Sequence, residues 1–182
     1  MTNDPHLAEV FPLPPMVAYK RPLHIRDKLI RSKFPPAQPS RPKRDIPGMS
    51  KCNSCPICPY IKTGKTVKST STNAVIQVNK PVNCQTRNLI YCISCNKCQK
   101  QYIGETDRSM HSRFSEHCGY LVNRHLEKAT GYHFNLPGHS EANMEVSIIE
   151  KIFSSDAQFR KTRDKMYIQT FNTIHKGLNR NS

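Results

Sequence analysis

Cys52-x2-Cys55-x2-Cys58 and Cys95-x2-Cys98 are two thiol runs among the eight cysteines of a 182-residue chain. They limit what it can fold into, because any fold must either gather such thiols or leave them reactive. The N-terminus, Met-Thr-Asn-Asp-Pro-His, has neither a basic n-region nor an apolar h-region. The thiols are therefore expected in a reducing, intracellular compartment, where this spacing points to thiolate metal ligands rather than disulfides. A CxxC in a tight turn sets two thiolates on one side of a knuckle, which suits tetrahedral zinc at Zn–S distances of about 2.3 Å. His133-x5-His139, bracketing the rigid turn Asn135-Leu136-Pro137-Gly138, could complete a Cys2His2 set with Cys95 and Cys98. The alternative is two ordinary loop histidines. Cys84 is a plausible fourth ligand for Cys52, Cys55 and Cys58, against the alternative of a flexible reduced loop. Cys92 reads as a core strand residue and Cys118 as a helix residue without assigned chemistry. A redox CxxC is disfavoured, since no thioredoxin-like βαβ pattern surrounds either pair.

The length suits one domain with a tail. Lys and Arg number 28 against 13 Asp and Glu, a formal charge of +15, which favours polyanion partners such as nucleic acid. No apolar run approaches the ~18 residues of a membrane span. Ten of the fourteen prolines fall in residues 1–50, so this stretch reads as an extended, proline-rich basic arm, with one short helix over Pro22 to Lys33 and a linker from Phe34 to Pro47. Residues 51–85 carry five Lys and no acidic residue. They read as a basic, Cys-containing linker with a potential zinc knuckle, and they contact DNA or serve as a solubilising tail.

The globular part, residues 86–182, is expected to begin near Cys84. Leu89-Ile90-Tyr91-Cys92-Ile93 reads as a buried strand and Gln101-Tyr102-Ile103-Gly104 as its hairpin partner. Thr106 or Asp107 can cap a helix through Arg108, Met110, Phe114 and His117. A second helix covers about 122–134, and Met144 to Glu150 reads as a third strand. Ser155-x-x-Gln158 resembles a capping box opening a last helix, with Phe159, Met166, Tyr167, Thr170 and Phe171 on its inner side. The order β, β, α, α, β, α gives an α/β fold with a small three-stranded, mostly antiparallel sheet flanked by helices.

Tyr91 and Tyr102 on adjacent strands are near cross-strand neighbours. Gly104 permits close approach, and Arg113 and His117 share a helical face. Phenols, a guanidinium and an imidazole suit phosphodiester hydrolysis, which needs a base for water and a cation for the developing charge. The plain alternatives are half-buried strand tyrosines and a solvated helix face. Glu105 and Glu116 are further carboxylates near the cleft, read as polar surface.

Leu89-Ile90-Tyr91, then Tyr102-Ile103-Gly104-Glu105-Thr106, then Arg113-Phe114-x-x-His117 resemble the GIY-YIG nuclease superfamily, and more narrowly the endonuclease domain of Penelope-like retroelements. That group carries a CCHH zinc motif with two cysteines between the two strands, as Cys95 and Cys98 fall here. The stretch His133 to Ser140 is similar to its histidine half and Gly177-Leu178-Asn179 to its terminal motif, so the likeness spans nearly the whole chain. It implies a nuclear, DNA-nicking enzyme that uses Mg²⁺ or Mn²⁺ with structural Zn²⁺, attached in the full element to a reverse transcriptase. It also implies that Tyr91 positions the attacking water, that Tyr102 or His117 acts as base, and that Arg113 meets the scissile phosphate. Asn179 would be a polar support near the site. The Mg/Mn ligand of the family is a Glu on the last helix; Arg163-Asp164-Lys165 places Asp164 there, one methylene short, and Leu89 stands where the family has Gly. A catalytically impaired, zinc-containing nucleic-acid-binding module that keeps the nuclease fold is the alternative.

Overall fold

Six of the seven residues of LIYCISC are buried, the signature of a strand covered on both faces. This run is β5 (Leu89–Cys95) and lies at the centre of the computed structural model, which describes residues 46–154 and 156–180 together with Ile25. The helix expected over Pro22 to Lys33 and most of the proline-rich arm lie outside the described residues, as does Ser155.

β5 pairs antiparallel with β6 (Gln101–Thr106) on one side and β7 (Met144–Lys151) on the other. Its register with β6 sets Tyr91 opposite Gly104 and Ile93 opposite Tyr102. Cross-strand partners share a face, so both tyrosines project from the same side of the sheet. The expected α/β class and antiparallel sheet are thus present.

Among the described residues three α-helices accompany the sheet, α1 (Met110–Val122), α2 (Ala129–Phe134) and α3 (Ala157–Thr170); α2 packs on α1, and α3 on β6 and β5. Their ends differ from expectation. Ser109 caps α1, accepting from Ser112 N, while Thr106 completes β6 and accepts from Arg108 N at 3.0 Å. α2 is shorter than the expected 122–134 because the chain turns after α1, with Arg124 at φ 52°. Asp156 caps α3, accepting from Gln158 N at 2.8 Å. The inner stripe of α3 is Arg160, Tyr167 and Phe171, whereas Phe159 is 48% and Met166 37% exposed. Hydrophobicity misleads there, because the face turned to the sheet carries charged groups.

Residues 51–85 do not behave as a linker. Four short strands fall at or near this segment: β1 (Gly48–Met49), β2 (Thr66–Lys68), β3 (Val75–Gln77) and β4 (Pro81–Val82), paired β1 with β4 and β2 with β3. Ile57, Ile61, Val67, Val78, Val82 and Cys84 belong to the same buried core as β5, and Ile61 bridges Val146 of β7. Arg44–Ser182 form one compact unit. The folded part therefore begins well before Cys84; strands of two or three residues leave no readable period.

The C-terminal run closes the free edge of β6. Leu178 N donates to Gln101 O at 2.8 Å. Gly177 is required by space, since a Cβ there would lie 2.4 Å from the same carbonyl.

Candidate active site and metal centres

Gly104 explains how the tyrosines settle. The Tyr91 ring lies across it, and a Cβ at 104 would sit 2.6 Å from the Tyr91 hydroxyl oxygen and 2.9 Å from a Tyr102 ring carbon. Contacts that short force the neighbour to shift. Gly104→Ala is therefore expected to cost about 1–3 kcal/mol by overpacking and to displace the Tyr91 ring; an unchanged midpoint in thermal unfolding would contradict this.

α1 supplies the next groups. Arg113 Nε donates to the Tyr91 hydroxyl at 2.8 Å, and His117 Nε2 lies 2.8 Å from the same oxygen. Arg113 also donates to Glu116 at 2.7 Å. Glu116 is further held by Arg108 and by the Tyr120 hydroxyl, the latter at 2.5 Å. Burial alone would raise the Glu116 pKa, but the bonds from Tyr120 and Arg113 outweigh it and hold the carboxyl at about 2. Burial, then the neighbouring Arg113 charge, depresses His117 to about 3, so its imidazole is neutral. Burial keeps both Tyr91 and Tyr102 protonated well past neutrality.

Tyr102, Arg113, His117, Tyr120, Lys128 and Thr130 line a cleft of about 210 Å³. Larger grooves of about 450 and 400 Å³ lie elsewhere and contain neither Tyr102 nor Arg113. The expected group Tyr91, Tyr102, Gly104, Arg113 and His117 therefore converges. Tyr120, Lys128 and Thr130 had not been anticipated. Tyr120 lies three residues after His117, a helical spacing that could have shown it; Lys128 and Thr130 arrive through the turn into α2, for which the sequence gives no signal.

Asn179 is placed differently from a catalytic group. Its side chain accepts from Ile103 N and donates to Ile103 O, both at 2.8 Å. With both ends committed to the β6 backbone, it pins the strand that carries Tyr102 and Gly104. Both ring nitrogens of His117 are likewise taken up: Nε2 by the Tyr91 hydroxyl and Nδ1 by Thr130 Oγ1, each at 2.8 Å, and the residue is 2% exposed. This leaves no nitrogen turned to the cleft, which argues against His117 as the base for water. Glu105 and Glu116 are not simple polar surface, because Arg160 holds Glu105 and the network above holds Glu116.

Asp164 on α3 is different again. Burial, then the nearby Glu105 charge, raises its pKa from 3.8 to about 6, and its negative charge in turn raises both phenols. Among the described residues, the buried side-chain nitrogen and oxygen atoms without a hydrogen-bond partner are Asp164 Oδ1 and the two ring nitrogens of His139. Buried polar atoms are rarely left this way unless something outside the chain meets them. Asp164 therefore fits a divalent cation, which commonly keeps its waters and takes only one or two protein carboxylates.

Two cysteine-containing sets could each hold a metal ion. The ligand atoms of Cys52, Cys55, Cys58 and Cys84 lie within 4.8 Å of one another, as do those of Cys95, Cys98, His133 and His139. Sulfur separations of 3.2 Å for Cys52–Cys55, 3.5 Å for Cys55–Cys58 and 3.7 Å for Cys58–Cys84 far exceed the ~2.05 Å of a disulfide. They approach the ~3.8 Å between thiolates around one tetrahedral ion. In the second set Cys98 Sγ lies 3.4 Å from His133 Nε2. Burial, then the adjacent His139, lowers His133 to about 4, giving the neutral imidazole that a metal needs. The first set ties residues 52–58 to Cys84, whose carbonyl accepts from His111 N where α1 begins, and the second ties the β5–β6 turn to α2 and the turn after it. Cys92 is buried in the core as expected, and Cys118 is half-buried on α1.

Among solved structures, the catalytic domain of homing endonuclease I-TevI aligns with 53% of this chain and 100% of its own, at 22% identity and a TM-score of 0.45. No family model and no curated protein matches the sequence.

Proposed function

We propose that the chain is a divalent-metal-dependent DNA endonuclease that hydrolyses one phosphodiester bond per event. The carrying observation is the convergence of Tyr102, Arg113 and His117 at one cleft, with Tyr91 buried beside it and bonded to Arg113 and His117, and with the partnerless Asp164 Oδ1 within electrostatic reach of both phenols. The net charge of +15 supports a polyanionic substrate.

In this reading Arg113, oriented by Glu116 and Tyr91, binds the scissile phosphate and offsets the charge that grows on it. Lys128, which lines the same cleft, adds a second cation. Tyr91, fully buried between Arg113 and His117 with its hydroxyl committed to both, fixes the direction of the guanidinium, so any effect it has on the attacking water is exerted through Arg113. Tyr102 lines the cleft with its ring 6.4 Å from that of Tyr91; burial keeps its phenol protonated, so it serves as a hydrogen-bond donor to the phosphate or the attacking water rather than as the base. Asp164 would hold Mg²⁺ or Mn²⁺; such an ion supplies Lewis-acid stabilisation and lowers the pKa of bound water. Zinc in both cysteine sets would be structural. A Penelope-like retroelement context, a neighbouring reverse transcriptase and a nuclear location belong to the same proposal. They follow from the motif resemblance and accord with eight free thiols.

The alternative, a nucleic-acid-binding module without cleavage, is favoured by one feature, the shortened carboxylate at 164. Asp164 variants separate the two. Asp164→Asn is expected to abolish nicking of supercoiled plasmid at every Mg²⁺ concentration, and Asp164→Glu to enhance it; parent-like nicking by Asp164→Asn would contradict the assignment. The same variant has a stability signature. A carboxyl whose folded pKa is raised opposes folding above about pH 6, and the opposition vanishes below its ordinary 3.8. Asp164→Asn is therefore expected to stabilise the metal-free site on the order of 1 kcal/mol at pH 7, allowing for partial exposure, with the gain fading as pH falls from 6 to 4.

No described helix is long and apolar enough to cross a membrane.

A further inference from the structure

The hydrogen bonds of His117 form a chain whose direction follows from the chemistry of its members. A guanidinium only donates, so the Tyr91 oxygen accepts from Arg113 Nε. Tyr91 is 0% exposed, and a buried phenol gives its own proton to an acceptor. His117 Nε2, at 2.8 Å, is that acceptor. A neutral imidazole has one donor and one acceptor nitrogen, so Nδ1–H donates to Thr130 Oγ1 at 2.8 Å. Donation thus runs from Arg113 through Tyr91 and His117 to Thr130, and it ends on α2.

α2 has six residues, too few for a helix to persist on its own. Its place is set by what it is tied to. On one side Gly131 allows close seating against the turn after α1, where a Cβ would lie 2.3 Å from the His125 carbonyl oxygen. Asn135 Nδ2 donates to the carbonyls of Leu121 at 3.2 Å and Gly131 at 2.8 Å. On the other side His133, one turn beyond Thr130, belongs to the metal-capable set with Cys95, Cys98 and His139. Thr130 is 1% exposed, so little else can move it.

We propose that Thr130 is a positioning residue that fixes the tautomer and ring plane of His117, and that the Cys95, Cys98, His133 and His139 metal set acts on the cleft through it by anchoring α2. The metal in this set therefore orients an imidazole and, through it, Tyr91. The inference deepens the nuclease reading and rests on it for the catalytic readout alone; the hydrogen-bond chain is measured independently.

The experiment is ¹⁵N NMR of the histidine rings in the zinc-loaded full chain, read beside single-turnover nicking and zinc content. In the parent, His117 is expected as one tautomer, protonated at Nδ1. Thr130→Val, equal in shape but without the acceptor, is expected to give mixed tautomers. Its zinc content stays that of the parent, and kcat falls about 10- to 100-fold with KM unchanged, the scale of outer-shell orienting contacts. Thr130→Ser is expected to restore both the signature and the rate. Cys98 is exposed, so Cys98→Ser removes a ligand without opening the core; it is expected to lose one zinc and mix the His117 tautomers. Asn135→Ala loosens α2 without touching a ligand and is expected to mix the tautomers with both zincs kept. A single Nδ1–H tautomer that survives Thr130→Val overturns the role of Thr130. One that survives metal loss in Cys98→Ser overturns the coupling. Absence of nicking in the parent, with the NMR pattern as expected, sinks the nuclease reading and leaves this inference supported.

Discussion

Arg113→Ala is expected to reduce single-turnover nicking by about 10²- to 10³-fold, the loss that follows removal of one preorganised donor from a developing oxyanion. The side chain is 20% exposed, and its bonds to Tyr91 at 2.8 Å and Glu116 at 2.7 Å fix the direction of the guanidinium. Its loss also removes the donor to the Tyr91 oxygen, so the phenol loses its orientation along with the phosphate's cation. The fold is expected to survive, because Arg108 and Tyr120 continue to hold Glu116. Arg113→Lys is expected to fail nearly as badly. An ammonium is a point charge and cannot bond the phenol, the carboxylate and a phosphate from one planar fork. Activity of Arg113→Ala within tenfold of the parent would place the phosphate elsewhere.

Stripping metal from the two cysteine-containing sets is expected to unfold the chain. Structural zinc binds with apparent free energies on the order of 10 kcal/mol, comparable with the whole stability of an ordinary domain. The first set is built into the core: Cys84 is 0% exposed, and its carbonyl accepts from His111 N at 2.8 Å where α1 begins. The purified chain is expected to carry about two equivalents of zinc. A chelator, or Cys84→Ser, is expected to abolish the cooperative thermal transition and the near-ultraviolet dichroism. Fewer than about one equivalent of zinc, or a transition unchanged by chelation, would contradict the assignment.

The parts of this molecule that were legible in the sequence are those where one physical signal dominates. The apolar, β-branched run 89–93 reads as a buried strand, and its expected pairing with 101–104 allows Tyr91 and Tyr102 one face, which the register bears out. The spacing of Arg113 and His117 likewise followed from the helical period, and the two metal-capable sets followed from thiol spacing. Residues 51–85 were not legible, because Ile57, Ile61, Val67, Val78 and Val82 are buried singly, Val67 and Val82 on strands of two or three residues and the others outside any strand. α3 misled for the opposite reason. Its inner stripe is made by Arg160, which pairs with Glu105, and by Tyr167, so apolarity pointed outward to Phe159 and Met166. Asn179 was anticipated by its motif, but only the coordinates show that both ends of its amide grip Ile103. Thr130 and Lys128 enter the cleft through a turn whose geometry no periodicity encodes.

The most direct measurement is incubation of the purified, zinc-loaded full chain with supercoiled plasmid and Mg²⁺, followed by separation of supercoiled, open-circular and linear forms. Open circles should accumulate with the parent protein and not with Tyr102→Phe. Plasmid that stays supercoiled, while the same protein retains it in a salt-dependent complex, would show that the cleft binds the backbone without cutting it.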